Sequence, residues 1–272
     1  MPPDAVRGSA VDCHVHVFGS SRDVPAPRVP HPERAAALKD VTALGAALGF
    51  RRYVLTQPSF LGFDNSHMLA TVATNPDSMR AVAWLPPSTD PGDLVALAAS
   101  GVVGLRFPLK YASELPDWDA YAALFAAAAA RGIHVELGLA GVALIAAARK
   151  VLAGGASVVV AHLGMFDAAV GPDKDPAFAA LLELAATRKV WVKLSAPYRA
   201  PRPFADRACA QLLGAFGPDR AVWGSDWPHV AQQLDRRTTY PASLDWLRDR
   251  VPDARILRQI LVASPAALYG FT

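Results

Sequence analysis

The sequence predicts an α/β fold of the (β/α)8 or TIM-barrel class, and three observations carry that prediction. Short apolar, β-branched runs recur eight times along 272 residues. Stretches of helical character, rich in Ala and Leu, separate them, and alternating strand and helix implies parallel strands joined by crossovers. The length is that of one barrel, ~250 residues, so residues 1–272 are expected to form a single domain. A doubly wound open sheet is the chief rival, but the second strand lacks a GxGxxG-type turn.

The first run, VDCHVHVF at 11–18, places His14 and His16 on one face and Val15 and Val17 on the other by period-two alternation. Cys13 is out of phase with the histidines and is expected to face the surrounding helices as a buried, inert thiol. The proline-rich segment 20–34 has the length of a lid or a strap across the barrel mouth, with Arg28 and His31 able to close over a ligand. A helix is expected within 33–49. The second run, RRYVLTQ at 51–57, ends in Thr56 and Gln57 with Ser59 beyond. Asp64, Asn65 and Ser66 are the residue types that cap the next helix.

RAVAWLP (80–86) and GVVGLRF (101–107) supply the third and fourth strands, the latter ending at Arg106. After the helical YAALFAAAAARG, the fifth run GIHVELG (132–138) carries Glu136 near its end and His134 near its start. The sixth, SVVVAHLG (157–164), ends at His162. DPAFAALLELAATRK reads as the next helix, and KVWVKLS (189–195) follows with Lys193 and Ser195 on one face. The eighth, AVWGSDW (221–227), aligns Val222, Gly224 and Asp226, with Trp227 and His229 at its end. A barrel of this class places its active site at the carboxyl ends of the strands. There the polar residues gather, at one end of otherwise apolar strands.

Composition narrows the function. The 52% hydrophobic content fills a sizeable core, and the net charge of +3 is compatible with small anionic substrates. No Lys/Arg run and no basic–aromatic interleaving occurs, which argues against a nucleic-acid partner. The two cysteines, Cys13 and Cys209, have neither zinc-ligand spacing nor a disulfide framework. No apolar stretch approaches the ~20 residues of a membrane helix. MPPDAVRGSA has no apolar secretory core, so a cytoplasmic protein without a membrane partner is expected.

DCHVHVFG, VVVAHLGM, VWVKLSAPYR and WGSDWPH, in that order, resemble the amidohydrolase superfamily. Within it they resemble the amidohydrolase-related (amidohydrolase 2) branch that holds 2-pyrone-4,6-dicarboxylate lactonase and related lactonases. The closing Ser264–Phe271 segment is similar to that branch too. The resemblance implies a barrel hydrolase opening a small, carboxylated lactone, with Asp226 activating water and His14, His16 and His162 polarising the carbonyl. Arg106 and Arg199 are then anchors for the substrate carboxylate, whose geometry suits a guanidinium fork. Gln57, Ser59, Tyr198 and His229 would add substrate hydrogen bonds, and Lys193 would pair with an acidic neighbour or the substrate. Burial of Asp226 would raise its pKa and improve it as a base.

Metal-dependent members of the superfamily place further histidines on two mid-barrel strands, whereas here only His162 is in place and Glu136 occupies the fifth strand. No cofactor is therefore expected to be obligatory. The rival is a zinc-dependent hydrolase or decarboxylase using His14, His16, His162 and Asp226 as ligands; a lactone isomerase is a further alternative.

Overall fold

In the computed structural model, which describes residues 9–19, 35–230 and 238–272, the eight runs form eight parallel strands hydrogen-bonded in sequence order. They are β1 (Ala10–Val15), β2 (Phe50–Thr56), β3 (Met79–Ala83), β4 (Val102–Phe107), β5 (His134–Leu137), β6 (Val158–Val160), β7 (Val190–Ser195) and β8 (Ala221–Gly224). The crossovers carry α1 (Leu38–Ala47), α2 (Ser66–Ala73), α3 (Leu94–Ala99), α4 (Ala122–Ala130), α5 (Gly141–Ala153), α6 (Pro176–Glu183) and α7 (Arg202–Phe216). After β8 come α8 (Tyr240–Arg250), α9 (Ala254–Arg258) and α10 (Ser264–Tyr269).

The helix starts follow local chemistry. Asp175 accepts from the backbone N–H groups of Ala177 and Phe178, with Pro176 at the first helical position, so α6 begins where the sequence satisfies its orphan donors. At α2 the expected cap is shared differently. Asp64 accepts from Ser66 N at 3.1 Å, while the Asn65 amide braces the end of β3 through Trp84 N and O at 3.0 and 2.9 Å.

Two apolar layers hold the barrel. Outward residues such as Tyr53, Leu55, Leu105, Val135, Val158, Val192 and Trp223 pack with the helices. Inside, Val11, Val54, Val82, Val159, Trp191 and Val222 form a second cluster, completed by Tyr269 and Phe271 from the end of the chain. Burying each such side chain contributes roughly 1.5–3 kcal/mol. Cys13 belongs to this inner cluster, not to the helix-facing layer. The reason is an irregularity in β1: its register to β2 shifts between Asp12 and Val15, so the alternation read from the sequence does not run unbroken through Cys13 and His14.

The ladder continues past β8 to close on β1. Asp226 N donates to His14 O at 3.0 Å and His16 N donates to Trp227 O at 2.9 Å. Gly224 permits this approach, since an added Cβ there would lie 2.5 Å from His14 Cβ. Closure therefore brings His14, His16 and Asp226 into one seam. Several strands stop earlier than their apolar runs, and beyond β6 and β8 the backbone turns away at His162 with φ 51° and Asp226 with φ 61°. Segment 20–34, expected as a lid or strap with Arg28 and His31, lies outside the described residues. Among the described residues no helix is long and apolar enough to cross a membrane.

Candidate active site

Asp226 is the centre of the polar end. Its Oδ1 lies 3.5 Å from His14 Nε2, 3.5 Å from His16 Nε2 and 3.8 Å from His162 Nε2. Its Oδ2 accepts from Arg199 Nη2 at 3.0 Å and from the Tyr198 hydroxyl. One carboxylate oxygen is thus held by the loop after β7, and the other faces three imidazoles. Burial alone would raise the pKa of Asp226, but the nearby charge and hydrogen-bond donors, the Arg199 guanidinium among them, outweigh it and hold the carboxyl well below its usual range. The raised value expected from burial is therefore overturned by the cationic and hydrogen-bonding surroundings.

Each imidazole has a support. His16 Nδ1 lies 2.7 Å from the Thr56 carbonyl, an acceptor only, so Nδ1 carries the proton and Nε2 presents a lone pair. His162 Nδ1 meets Ser195 Oγ at 2.9 Å. His14 Nδ1 meets Lys193 Nζ at 3.2 Å and Glu136 Oε1 at 3.4 Å. Burial first, then nearby cations, push His14 well below the ordinary imidazole value. His162 and His16 are lowered as well, burial outweighing the opposing pull of Asp226. The site is a neutral histidine cluster around an ionised carboxylate.

Beneath it lies a buried charge network. Lys193 donates to Glu136 Oε2 at 2.5 Å and to Cys13 O at 2.7 Å. The acidic-neighbour alternative for Lys193 is the one adopted: its nitrogen is fully engaged by protein and has no donor left for a substrate. Arg106 donates to the Gln57 carbonyl, and its Nε lies 3.6 Å from Glu136 Oε1. Gln57 spends its amide on the loop carbonyls of Gly62 and Asp64, at 3.1 and 2.7 Å. Ser59 opens a short 3₁₀ turn, half-buried. His229 Nε2 lies 3.2 Å from Ser225 O, and its ring meets Tyr198 edge-on at 5.8 Å, so it braces the turn that presents Asp226.

A cavity opens beside this cluster, lined by Lys110, His162, Met165, Phe166, Pro197 and Arg199 among others. Lys110, four residues past Arg106, lies outside any strand pattern, so periodicity carries no signal for it. Asp12 was missed as well. Its Oδ1 accepts from His14 N at 3.1 Å and Ser225 N at 2.9 Å, tying β1 to the loop after β8. Burial raises it to about 6 against the lowering effect of those bonds.

The donor atoms of His14, His162 and Asp226 lie within 4.8 Å of one another, a spacing that could hold a metal ion; His16 is not part of that group. The charge around it is unfavourable. Lys193, Arg106 and Arg199 already outnumber Glu136 and Asp226, and an added divalent cation would sit among them.

Residues 11–271 match the amidohydrolase family. The chain is 29% identical to a 2-pyrone-4,6-dicarboxylate hydrolase of Comamonas testosteroni over 98% of its own length and 92% of that protein's. It is 28% identical to a 4-sulfomuconolactone hydrolase of Rhizobium radiobacter, covering 98% and 91% of the two chains. A crystal structure of a candidate 2-pyrone-4,6-dicarboxylic acid hydrolase from Pseudomonas putida superposes with a TM-score of 0.87 at 32% identity, covering 97% and 98%. A closed parallel barrel with a His–His–Asp cluster at its carboxyl end, matched over nearly its whole length, belongs to the amidohydrolase family.

Proposed function

We propose that this enzyme hydrolyses a small, carboxylated lactone without an obligatory metal ion. The observation that supports it most is the convergence of three imidazoles on Asp226 Oδ1 beside the guanidinium groups of Arg106 and Arg199. A water between Asp226 Oδ1 and the His16 Nε2 lone pair has an acceptor for each of its protons. As its oxygen bonds to the lactone carbonyl carbon, Asp226 takes one proton. His14 and His162 donate to the developing oxyanion. Collapse breaks the ring C–O bond, and the proton held by Asp226 passes to the departing oxygen, giving a hydroxy acid. Arg106, Arg199 and Lys110 receive the substrate carboxylate, consistent with relatives named for a pyrone dicarboxylate and a sulfomuconolactone.

Turnover of carboxylated pyrones, muconolactones and aldonolactones, followed by NMR, tests this reading. One of these lactones should disappear with the appearance of an open-chain acid, and chelation should leave the rate unchanged. A second lactone as product would instead make the enzyme an isomerase. Stoichiometric zinc, with activity lost to chelation and restored by zinc, would favour the His14–His162–Asp226 cluster as a metal centre.

A further inference from the structure

We infer that the buried Lys193–Glu136 pair is a positioning device that fixes the tautomer of His14, making it a hydrogen-bond donor at Nε2 and a poor metal ligand. This inference rests on the lactonase reading, in which His14 polarises the carbonyl.

An ammonium has three donors and no acceptor. Lys193 is fully buried, and its nitrogen meets three groups: Glu136 Oε2 at 2.5 Å, Cys13 O at 2.7 Å and His14 Nδ1 at 3.2 Å. The first two are oxygen acceptors, so the third N–H is directed at His14 Nδ1. A proton on Nδ1 would leave that ammonium N–H facing another donor in a site closed to water, which costs the full desolvation penalty of an unmade bond. The other neighbour of Nδ1, Glu136 Oε1, lies farther away at 3.4 Å and also faces Arg106 Nε at 3.6 Å. The His14 proton therefore belongs on Nε2, the atom 3.5 Å from Asp226 Oδ1, which has no other hydrogen-bond partner.

His16 is the opposite case. Its Nδ1 faces the Thr56 carbonyl and must carry the proton. Two histidines on one strand thus present opposite faces to one carboxylate, one donating and one accepting. Metal-ligating histidines take the His16 arrangement, with the far nitrogen donating to an oxygen and a lone pair toward the ion. Lys193 denies His14 that arrangement. Glu136 makes the buried ammonium tolerable and holds it in place.

Histidine-labelled wild-type protein tests this directly, with the His14 signals identified by their loss in His14→Gln. Long-range ¹⁵N–¹H correlation should report a protonated Nε2 and a bare Nδ1 for His14, and the reverse for His16. A protonated Nδ1 on His14 overturns the inference even if lactone turnover is intact. Absence of turnover with every lactone would instead count against the functional reading, whatever the tautomer. Zinc titration by calorimetry is the second measurement. Wild type should show no stoichiometric uptake, and the double variant Lys193→Met/Glu136→Gln, which removes one charge of each sign, should bind zinc at least tenfold more tightly. Equal zinc affinity in a folded double variant overturns the inference. If that variant does not fold, the wild-type tautomer decides.

Discussion

The two ends of the barrel are built from the same strands and solve opposite problems. At the amino-terminal end, Val11, Cys13, Val54, Val82, Val159, Trp191 and Val222 meet Tyr269 and Phe271 in a dry plug. At the carboxyl end, one to four positions further along, the lumen holds His14, His16, Arg106, Glu136, His162, Lys193 and Asp226, all buried. Apolar packing fills the first end, and buried polar groups fill the second. The backbone records the same division. Among the described residues, every positive-φ residue other than glycine except Arg188 lies in the loops that follow β6, β7 and β8. Such conformations cost roughly 1–3 kcal/mol each and persist where the surroundings hold them. The plug and outer layer are what can bear that cost.

The largest effect expected from breaking the polar end is on rate. Asp226→Asn removes the carboxylate proposed to take a proton from water, and kcat/KM should fall by about 10²- to 10⁴-fold. Retained thermal stability in the same variant would locate the loss in chemistry. Unchanged turnover would remove Asp226 from the mechanism. Breaking the plug should do the reverse. Phe271→Ala empties a site packed against Val-lined strand ends and beneath Arg80, whose guanidinium lies 4.7 Å from the ring. A loss of about 3–5 kcal/mol in urea unfolding is expected, with kcat/KM of the folded fraction unaltered at 25 °C. A comparable loss of activity per folded molecule would mean the two ends are coupled.

Much of this division was legible in the sequence. Apolar runs ending in polar residues marked both the strands and the end at which the site forms. The His14/His16 pair stood in phase, because period two holds from His14 onward. The errors fall where the backbone leaves regular geometry. Period-two alternation puts Cys13 outside because the register shift in β1 has no sequence signature. The sixth and eighth apolar runs outlast their strands because His162 and Asp226 adopt left-handed conformations within them. Asp12 was passed over because a carboxylate opening a strand looks solvated until closure on β8 buries it. Lys110 was missed because position on a loop, not periodicity, brings it to the cavity.

A smaller effect should separate binding from chemistry within the polar end. Lys110 lines the cavity but lies on none of the groups that contact Asp226. Lys110→Met should raise KM for a carboxylated lactone about tenfold, or ~1.4 kcal/mol, with kcat little changed. A neutral lactone should not respond. A fall in kcat at constant KM would place Lys110 in the reacting shell.

The smallest expected effect is an absence of pH dependence, and it discriminates most sharply. His14, His16, His162 and His229 all have pKa values lowered by burial, and Asp226 is held below the usual carboxylate range by its cationic neighbours. Asp12, raised to about 6 by burial, is the group left to titrate nearest neutrality, so kcat/KM should be flat from about pH 7 to 8. Asp226 should take up a proton, and activity be lost with it, only where the pH falls below the usual carboxylate range. Stability has the same sign: the depressed pKa of Asp226 contributes above its unfolded value and is lost as pH falls through the folded one. A metal-activated water ionises near pH ~7 and would make the rate climb through neutrality. Stopped-flow pH profiles of the wild type would reveal that climb, and its appearance would break the picture of a neutral histidine cluster around a permanently ionised base.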